Sequence, residues 1–135
     1  MVVLNPYLTF RDNARTALEF YRGVLGGSLD ITTFGSMPEM GYDPAESELV
    51  MHAQLTTDDG MVLMASDTPR GVEYRQPQGV SVSLSGSESD RLHAVWDALS
   101  DDANVTIALA PAPWGGEFGM LVDRFGISWL VAIDN

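Results

Sequence analysis

Few side chains in this sequence are suited to chemistry, and the histidine at position 52 is the first of them. Residues 49–56 alternate apolar and polar types, which predicts a β-strand with His52 and Gln54 on its less apolar face. An imidazole gains or loses a proton near neutral pH, so His52 is a candidate catalytic base or hydrogen-bonding group. The alternative is a histidine hydrogen-bonded within a cavity wall. His93 lies beside the apolar stripe of a predicted helix, and we expect it at the surface.

The sequence does not support several other kinds of functional site. The chain has no cysteine, which excludes disulfides, thiolate zinc sites, iron–sulfur clusters and cysteine nucleophiles. Glu48 shares the phase of His52, but four residues of strand separate the two by about 13 Å, too far to ligate one metal ion. A metal site that joins His52 to partners on other strands stays open as an alternative. No serine lies in a Gly-x-Ser-x-Gly motif.

The charge of the chain limits its partners. Its 135 residues include 7 Lys and Arg against 19 Asp and Glu, a net charge of -12. Binding to nucleic acid or to an anionic membrane surface needs basic residues, so neither is an expected partner. No apolar stretch is long enough to span a bilayer, and the first six residues do not resemble a secretory signal. We therefore expect a cytoplasmic protein.

Five elements are predicted in the first half of the chain, in the order β-α-β-β-β. They are a strand at 2–10, a helix at 14–25, and strands at 28–34, 49–56 and 61–66. Asn13 is the predicted N-cap of the helix, and Gly26 with Gly27 ends it. Asp59-Gly60 predicts the hairpin turn between the last two strands.

The same order repeats in the second half. Strands are predicted at 80–85, 105–109, 118–122 and 128–133, with a helix after the first of them. Ser87 and Asp90 resemble a capping box at the start of that helix. An offset of 74 residues aligns apolar positions of the two halves: Leu8 with Val82, Leu18 with Leu92, and Leu25 with Leu99. An offset of 66 aligns Gly60 with Gly126.

This repeat predicts an α+β fold of two βαβββ modules. Their curved mixed sheets would enclose a concave pocket, with the helices on the outer face. We expect one domain over 1–135, with module one at 1–67, a linker at 68–78 and module two at 79–135. The long loop at 35–47 carries Met37, Met40 and Tyr42, and is predicted to close over a ligand or to contact a second subunit.

Short motifs spread over nearly the whole chain are typical of one known group of proteins. They are PYLTF-x-x-NA from Pro6, AL-x-FY from Ala17, MHA from Met51, LMASD from Leu63, WG from Trp114 and FGML-x-D-x-FG-x-x-W from Phe118. In these motifs the sequence resembles the PhnB-like group of the vicinal oxygen chelate superfamily, which includes glyoxalase I, extradiol dioxygenases and bleomycin resistance proteins. The resemblance implies paired βαβββ modules and a homodimer. Some relatives are labelled 3-demethylubiquinone-9 3-methyltransferase, although no glycine-rich nucleotide loop follows the first strand here.

The resemblance also locates where a metal would bind. Enzymes of the superfamily place one ligand on the first and the last strand of each module. Carried over, with the offset of 74 for the second module, these positions are Asn5, Met64, Gly79 and Leu130. Asn5 alone offers an oxygen, and a divalent cation needs several convergent oxygen or nitrogen ligands. We therefore expect no metal and no other cofactor, which argues against glyoxalase or dioxygenase activity.

The phase of the predicted strands selects the residues that line the pocket. Besides His52 they are Tyr7, Gln54, Met64, Ser66, Ser81, Ser83, Ser128 and Leu130, with Trp114 at the pocket edge or in a dimer contact. Met64 and Leu130 are equally suited to filling the core. Trp129 has the phase of the helix-facing side and is predicted to be core.

The function we expect is metal-independent binding of a small, partly apolar molecule by a homodimer. His52, Tyr7 and the serines would supply hydrogen bonds. One alternative is an enzyme of unknown substrate, either glyoxalase- or dioxygenase-like or with His52 as general base. Another is a drug-sequestering dimer like the bleomycin resistance proteins, because an acidic protein suits a cationic drug.

Overall fold

The computed structural model describes residues 1–135, except for the side chain of Met40. The chain divides into two compact units, residues 1–76 and 77–135. Unit 1 contains β1 (Tyr7–Phe10), α1 (Ala14–Leu25), β2 (Ser28–Thr33), β3 (Val50–Thr56) and β4 (Val62–Asp67). Unit 2 contains β5 (Val82–Gly86), α2 (Ser89–Ser100), β6 (Asn104–Pro111), β7 (Glu117–Val122) and β8 (Ser128–Ile133).

Both units have one topology. The strand order is β1-β4-β3-β2 in unit 1 and β5-β8-β7-β6 in unit 2. The first strand of each unit pairs parallel with the last, and the other pairs are antiparallel. The predicted α+β fold of two βαβββ modules with open mixed sheets is confirmed. In the described chain, neither of the two 12-residue helices combines the length and the apolar content needed to cross a bilayer.

One face of each sheet is covered by the helix of its unit. The predicted apolar stripe of α1 is confirmed, since its buried residues are Ala14, Ala17, Leu18 and Tyr21. They pack on alternate strand residues that are also buried, including Phe10, Ala53, Leu55 and Ala65. The opposite face of the sheet stays half-exposed. The alternation of the strands therefore divides each unit into a core side and an open side.

Neither predicted N-cap supplies a side-chain hydrogen bond, although α1 begins after Asn13 and ends before Gly26 as predicted. Asn13 makes no side-chain bond to α1, and the backbone N–H of Ala14 instead donates to Oδ1 of Asp67 at 3.0 Å. The other carboxylate oxygen of Asp67 accepts from Val50 N at 2.9 Å. The predicted capping box of α2 does not form either, because that helix begins only at Ser89 and has no side-chain cap. In unit 1 a residue 53 positions away replaces the local cap.

In each unit a glycine lets two segments of the chain pack closer together than a side chain would allow. Gly27 follows α1 with a φ of 99°, and a side chain there would collide with the backbone of Thr56 and Thr57. In unit 2, a Cβ at Gly119 would lie 2.8 Å from the ring of Trp96 on α2. The helix can therefore rest directly on β7.

A buried aspartate organises the last hairpin of unit 2. Oδ1 of Asp123 accepts from the backbone N–H groups of Phe125 and Ile127, and Oδ2 accepts from Nε1 of Trp129. Trp129 is buried as predicted. At the offset of 66 the corresponding residue of unit 1 is Thr57, whose Oγ1 accepts from Met61 N across the equivalent turn.

The strand registers correct the predicted offset between the first strands. Leu8 pairs with Ala65, and Leu84 pairs with Val131. Ala65 and Val131 are 66 residues apart, so Leu8 corresponds to Leu84 at an offset of 76 rather than 74. The predicted offset followed the apolar phase of the helices. The connection between strand and helix is one residue shorter in unit 2, which places the bounds of the two helices 75 residues apart, so one offset cannot describe both elements.

Hydrogen bonds attach the two long connections of unit 1, at 34–49 and 68–76, to the rest of that unit. The long loop forms three short 3₁₀ turns, and its ends meet through the bond from Gly35 N to Ser47 O. Buried Glu46 accepts a hydrogen bond from Arg70 N at 2.7 Å. Met37 and Tyr42 are half-buried, whereas the side chain of Met40 lies outside the described part of the chain.

We predict that the substitution Asp67→Ala lowers the free energy of unfolding by about 2–4 kcal/mol, because it leaves two buried backbone donors without an acceptor. Urea denaturation followed by circular dichroism measures this change. The control is Asp58→Ala, which removes an exposed carboxylate and should change stability by less than about 0.5 kcal/mol. Equal effects of the two substitutions would contradict the role assigned to Asp67.

Candidate functional site

The open face of the unit 1 sheet brings His52 and Tyr7 together. Nδ1 of His52 lies 3.3 Å from the hydroxyl of Tyr7, and the two ring centroids are 5.7 Å apart. Their strands, β3 and β1, are not neighbours, because β4 lies between them. The two rings therefore approach each other over β4. Tyr7 is 48% exposed, so the pair is accessible from solvent.

Two rows of side chains run across this face. The registers place Tyr7 beside Met64, Met64 beside Gln54, and Gln54 beside Asp30. The second row contains Thr9 beside Ser66 and His52 beside Thr32. Five predicted residues thus share one surface, which we call the unit 1 open face: Tyr7, His52, Gln54, Met64 and Ser66.

Asp30 is a member of this face that the sequence analysis missed. Its carboxylate is exposed, and it lies next to Gln54 in the first row. The sequence could have identified it, because Asp30 alternates along its strand with the same phase as Ser28 and Thr32, which places the three side chains on one face. Gln54 also donates to Oγ1 of Thr56 at 3.3 Å. This face therefore combines a carboxylate, an amide, an imidazole and hydroxyls with the apolar groups of Met64 and Tyr7.

The remaining predicted pocket residues belong to unit 2. Ser81 and Ser128 are joined through their hydroxyl oxygens at 2.7 Å. Leu130 lies between Ser83 and Met120 in the sheet. Further along the same face, Ala132 pairs with Phe118. The unit 2 open face is therefore apolar over β8 and β7, and its serines are concentrated on β5 and at the start of β8.

Trp114 extends this apolar surface. It is 73% exposed and packs edge-on against Phe118, with the ring centroids 5.5 Å apart. The loop that carries it closes through Ala112 N, which donates to Gly116 O.

At the four positions where the resemblance implies metal ligands, the side chains do not fit a divalent cation. The corrected strand offset of 76 replaces Gly79 by Ser81 as the counterpart of Asn5. The four side chains are then an amide, a hydroxyl, the thioether of Met64 and the alkyl group of Leu130. Hard cations prefer carboxylates and waters, and zinc prefers imidazole or thiolate. Among the residues that the structure describes, no three His, Asp or Glu side chains form a group able to hold a metal.

His93 has a structural role that differs from that of His52. Its Nδ1 donates to the carbonyl of Ser89 at 2.8 Å, and its Nε2 lies 3.1 Å from Oε1 of Glu117. The hydrogen bond to Ser89 and then that to Glu117 raise the pKa of His93 above the ordinary 6.5, with a smaller contribution from Asp97. Both ring nitrogens donate when the imidazole is charged, so this arrangement favours the protonated form.

The comparisons with known proteins agree with this architecture. Residues 3–132 match the family described as 3-demethylubiquinone-9 3-methyltransferase. The chain belongs to this family. A similar solved structure is that of protein PA1353 from Pseudomonas aeruginosa, which is 33% identical, with a TM-score of 0.87 over 99% of this chain and 98% of that one. Protein YjdN of Escherichia coli K12 is 26% identical over 96% of this chain and 94% of its own length.

A more distant structure supports the fold alone. It is a putative 3-demethylubiquinone-9 3-methyltransferase, PhnB protein, from Bacillus cereus, with 21% identity and a TM-score of 0.77 over 98% of this chain and 99% of that one. With these matches the PhnB-like vicinal oxygen chelate fold is confirmed.

The methyl transfer named in the family description would need S-adenosylmethionine, and the residues of this chain do not fit that group. A methyltransferase fold binds the nucleoside at a glycine-rich loop after a first parallel strand. Here Arg11, Asp12 and Asn13 follow β1, and the carboxylate of Asp67 already occupies the start of α1. Each sheet has only one parallel pair, at its edge.

We predict that an NMR titration gives His93 a pKa above 6.5 and that Glu117→Gln lowers it. The charged imidazole is the form that the fold stabilises. Its contribution to stability is therefore present below pH 6.5 and is lost as the pH rises through the raised pKa. The effect on stability is small because the pair is exposed to solvent. A pKa at or below 6.5 would contradict the assignment.

Proposed function

We propose that the unit 1 open face binds a small, partly apolar molecule without a metal ion. The observation that carries this proposal is the contact between His52 and Tyr7 on an accessible surface beside Met64. In a purely structural histidine both ring nitrogens are normally satisfied by the protein, as they are in His93. His52 is half-buried, and its Nδ1 contact is a 3.3 Å approach to an exposed phenol.

The geometry suggests how such a ligand is held. When the Tyr7 hydroxyl donates to Nδ1, the neutral imidazole carries its proton on Nε2. Nε2 then donates to a carbonyl or other acceptor of the ligand. The ring of Tyr7 and the thioether of Met64 supply apolar contact, and Gln54 adds an amide that both donates and accepts.

The first test is a thermal-shift screen with small carbonyl, carboxylate and amine compounds, followed by calorimetry on the compounds that raise the melting temperature. For a compound bound at this face, we predict that His52→Ala weakens affinity at least about tenfold, because it removes a ligand-directed donor worth about 1.4 kcal/mol. Tyr7→Phe should have a smaller effect in the same direction.

The control is His93→Ala, which changes the other histidine of the chain and should leave the affinity unchanged. If His52→Ala bound the compound as tightly as the native protein, this site would be wrong.

Catalysis is the second candidate function, and the same pair favours it. In the other tautomer Nδ1 donates to the Tyr7 oxygen, and Nε2 is then free to accept a proton from a bound C–H or O–H group. Turnover that is lost in His52→Gln while binding is retained would favour an enzyme over a binding protein.

The exposed carboxylate of Asp30 favours a third candidate, the sequestering of a cationic drug. A net charge of -12 attracts cations in general, but Asp30 is the acid on this face. Affinity for a cationic compound that falls in Asp30→Asn and at high salt would support this candidate.

A further inference from the structure

One arginine of the chain is half-buried without an acidic partner. Three of the other arginines lie beside a carboxylate, namely Arg75, Arg91 and Arg124. Three more are exposed to solvent, namely Arg15, Arg22 and Arg70. The half-buried arginine is Arg11, directly after β1. In the described chain the one acceptor that its side chain reaches is the carbonyl oxygen of Val72, 2.8 Å from Nη2. Removing a charged group from water is costly unless an opposite charge or further hydrogen bonds compensate it.

The Nε–H group of Arg11 is buried and has no acceptor among the described residues. A buried donor without an acceptor is rare in a native structure and needs an explanation. The carbon of the guanidinium lies 5.7 Å from the centre of the Tyr74 ring, so an aromatic face, rather than an acceptor, lies against the group. Nε and Nη2 are neighbours on one edge of the guanidinium plane, and such an edge matches the two oxygens of a carboxylate. The single oxygen of Val72 therefore satisfies half of a two-donor edge.

The segment that contacts Arg11 is held by few bonds. We call residues 69–75 the strap, which follows β4 and belongs to neither a helix nor a strand. In the described chain two hydrogen bonds join the strap to the rest of unit 1. One runs from Arg11 to Val72 O, and the other from Arg70 N to Oε2 of Glu46. Because an arginine binds a carboxylate more strongly than a neutral carbonyl, a carboxylate can take the place of Val72 O at Nη2 and reach Nε as well.

The surroundings of Arg11 favour an organic acid over an inorganic anion. The side chain of Val72 is 54% exposed and the ring of Tyr74 is half-buried, so an apolar surface adjoins the guanidinium. The neighbouring acids do not neutralise Arg11, because Asp12 is exposed and Glu73 is paired within the strap. A carboxylate joined to an aromatic or aliphatic group matches both the donors and the apolar surface, whereas inorganic phosphate matches the donors alone.

We propose that Arg11 binds the carboxylate of a small organic acid through Nε and Nη2, in exchange for Val72 O. Two parallel charge-assisted hydrogen bonds hold the carboxylate, and the apolar part of the acid contacts Tyr74 and Val72. The strap moves away from Nη2 as the acid binds. This site shares no residue with the unit 1 open face, so the test of one site does not depend on the other.

Benzoate is the probe, and the Nε–H signal of Arg11 in a proton–nitrogen NMR spectrum reports its binding. Nε is shielded from water, so its proton exchanges slowly, and the loss of one signal in Arg11→Lys assigns it. We expect benzoate at millimolar concentration to shift this signal together with the backbone signals of the strap. Benzamide has a similar shape without the charge and should shift neither, and sodium chloride at equal ionic strength should shift neither as well.

The substitution Arg11→Lys keeps the positive charge but removes the two-donor edge. It should raise the benzoate dissociation constant at least about tenfold, measured from the backbone signals of the strap. Circular dichroism checks that the variant is folded. The matched control is Arg15→Lys, which makes the same change at an exposed position of α1 and should bind benzoate like the native protein.

Three results would overturn the proposal. They are a native Nε–H signal that benzoate does not shift, shifts with benzamide equal to those with benzoate, and equal benzoate affinities of Arg11→Lys and the native chain. A fourth comparison tests the class of ligand. If inorganic phosphate shifted the Nε–H signal of Arg11 and benzoate did not, the site would bind an inorganic anion and the assignment to an organic acid would be wrong.

Discussion

In unit 1 one buried carboxylate connects the elements on which the candidate site depends. Asp67, at the end of β4, accepts hydrogen bonds from the start of α1 and from the start of β3. The cost of burying its charge is offset by two backbone donors and by the favourable end of the helix dipole. These two hydrogen bonds link α1 and β3 to β4, and they therefore help to position His52, which lies on β3. Asp123 has a comparable part in unit 2, where its carboxylate holds the last turn and the indole of Trp129.

The two units share a topology but present different open faces. Unit 1 carries an imidazole, a phenol, an amide and a carboxylate, whereas unit 2 carries leucine, methionine, alanine and phenylalanine with serines toward one edge. The covered face of each sheet must remain apolar, since it packs on a helix. The open face is free of that constraint, and there the two units differ. The imidazole, amide and carboxylate groups that can make directed hydrogen bonds are therefore on unit 1.

The acidic residues are unevenly distributed over the elements of the structure. Most of the acids lie in loops and turns, outside the strands. Three acids lie in strands, and each has an identifiable effect. Asp67 accepts backbone hydrogen bonds, Asp30 adds a negative charge to the unit 1 open face, and Glu117 pairs with His93.

The sequence by itself determined the element order, the apolar stripe of α1, the hairpin turns and the phase of His52, Tyr7 and Met64, because periodicity and glycine placement are local properties. Tertiary structure decided the cap of α1, which Asp67 provides in place of Asn13, and the register that changed the first-strand offset from 74 to 76. It also decided that the hydroxyl of Tyr7 reaches Nδ1 of His52 across an intervening strand and that Asp30 lies beside Gln54. These contacts join residues from 24 to 57 positions apart, and the pairing of strands that creates them depends on packing over the whole unit rather than on any local pattern.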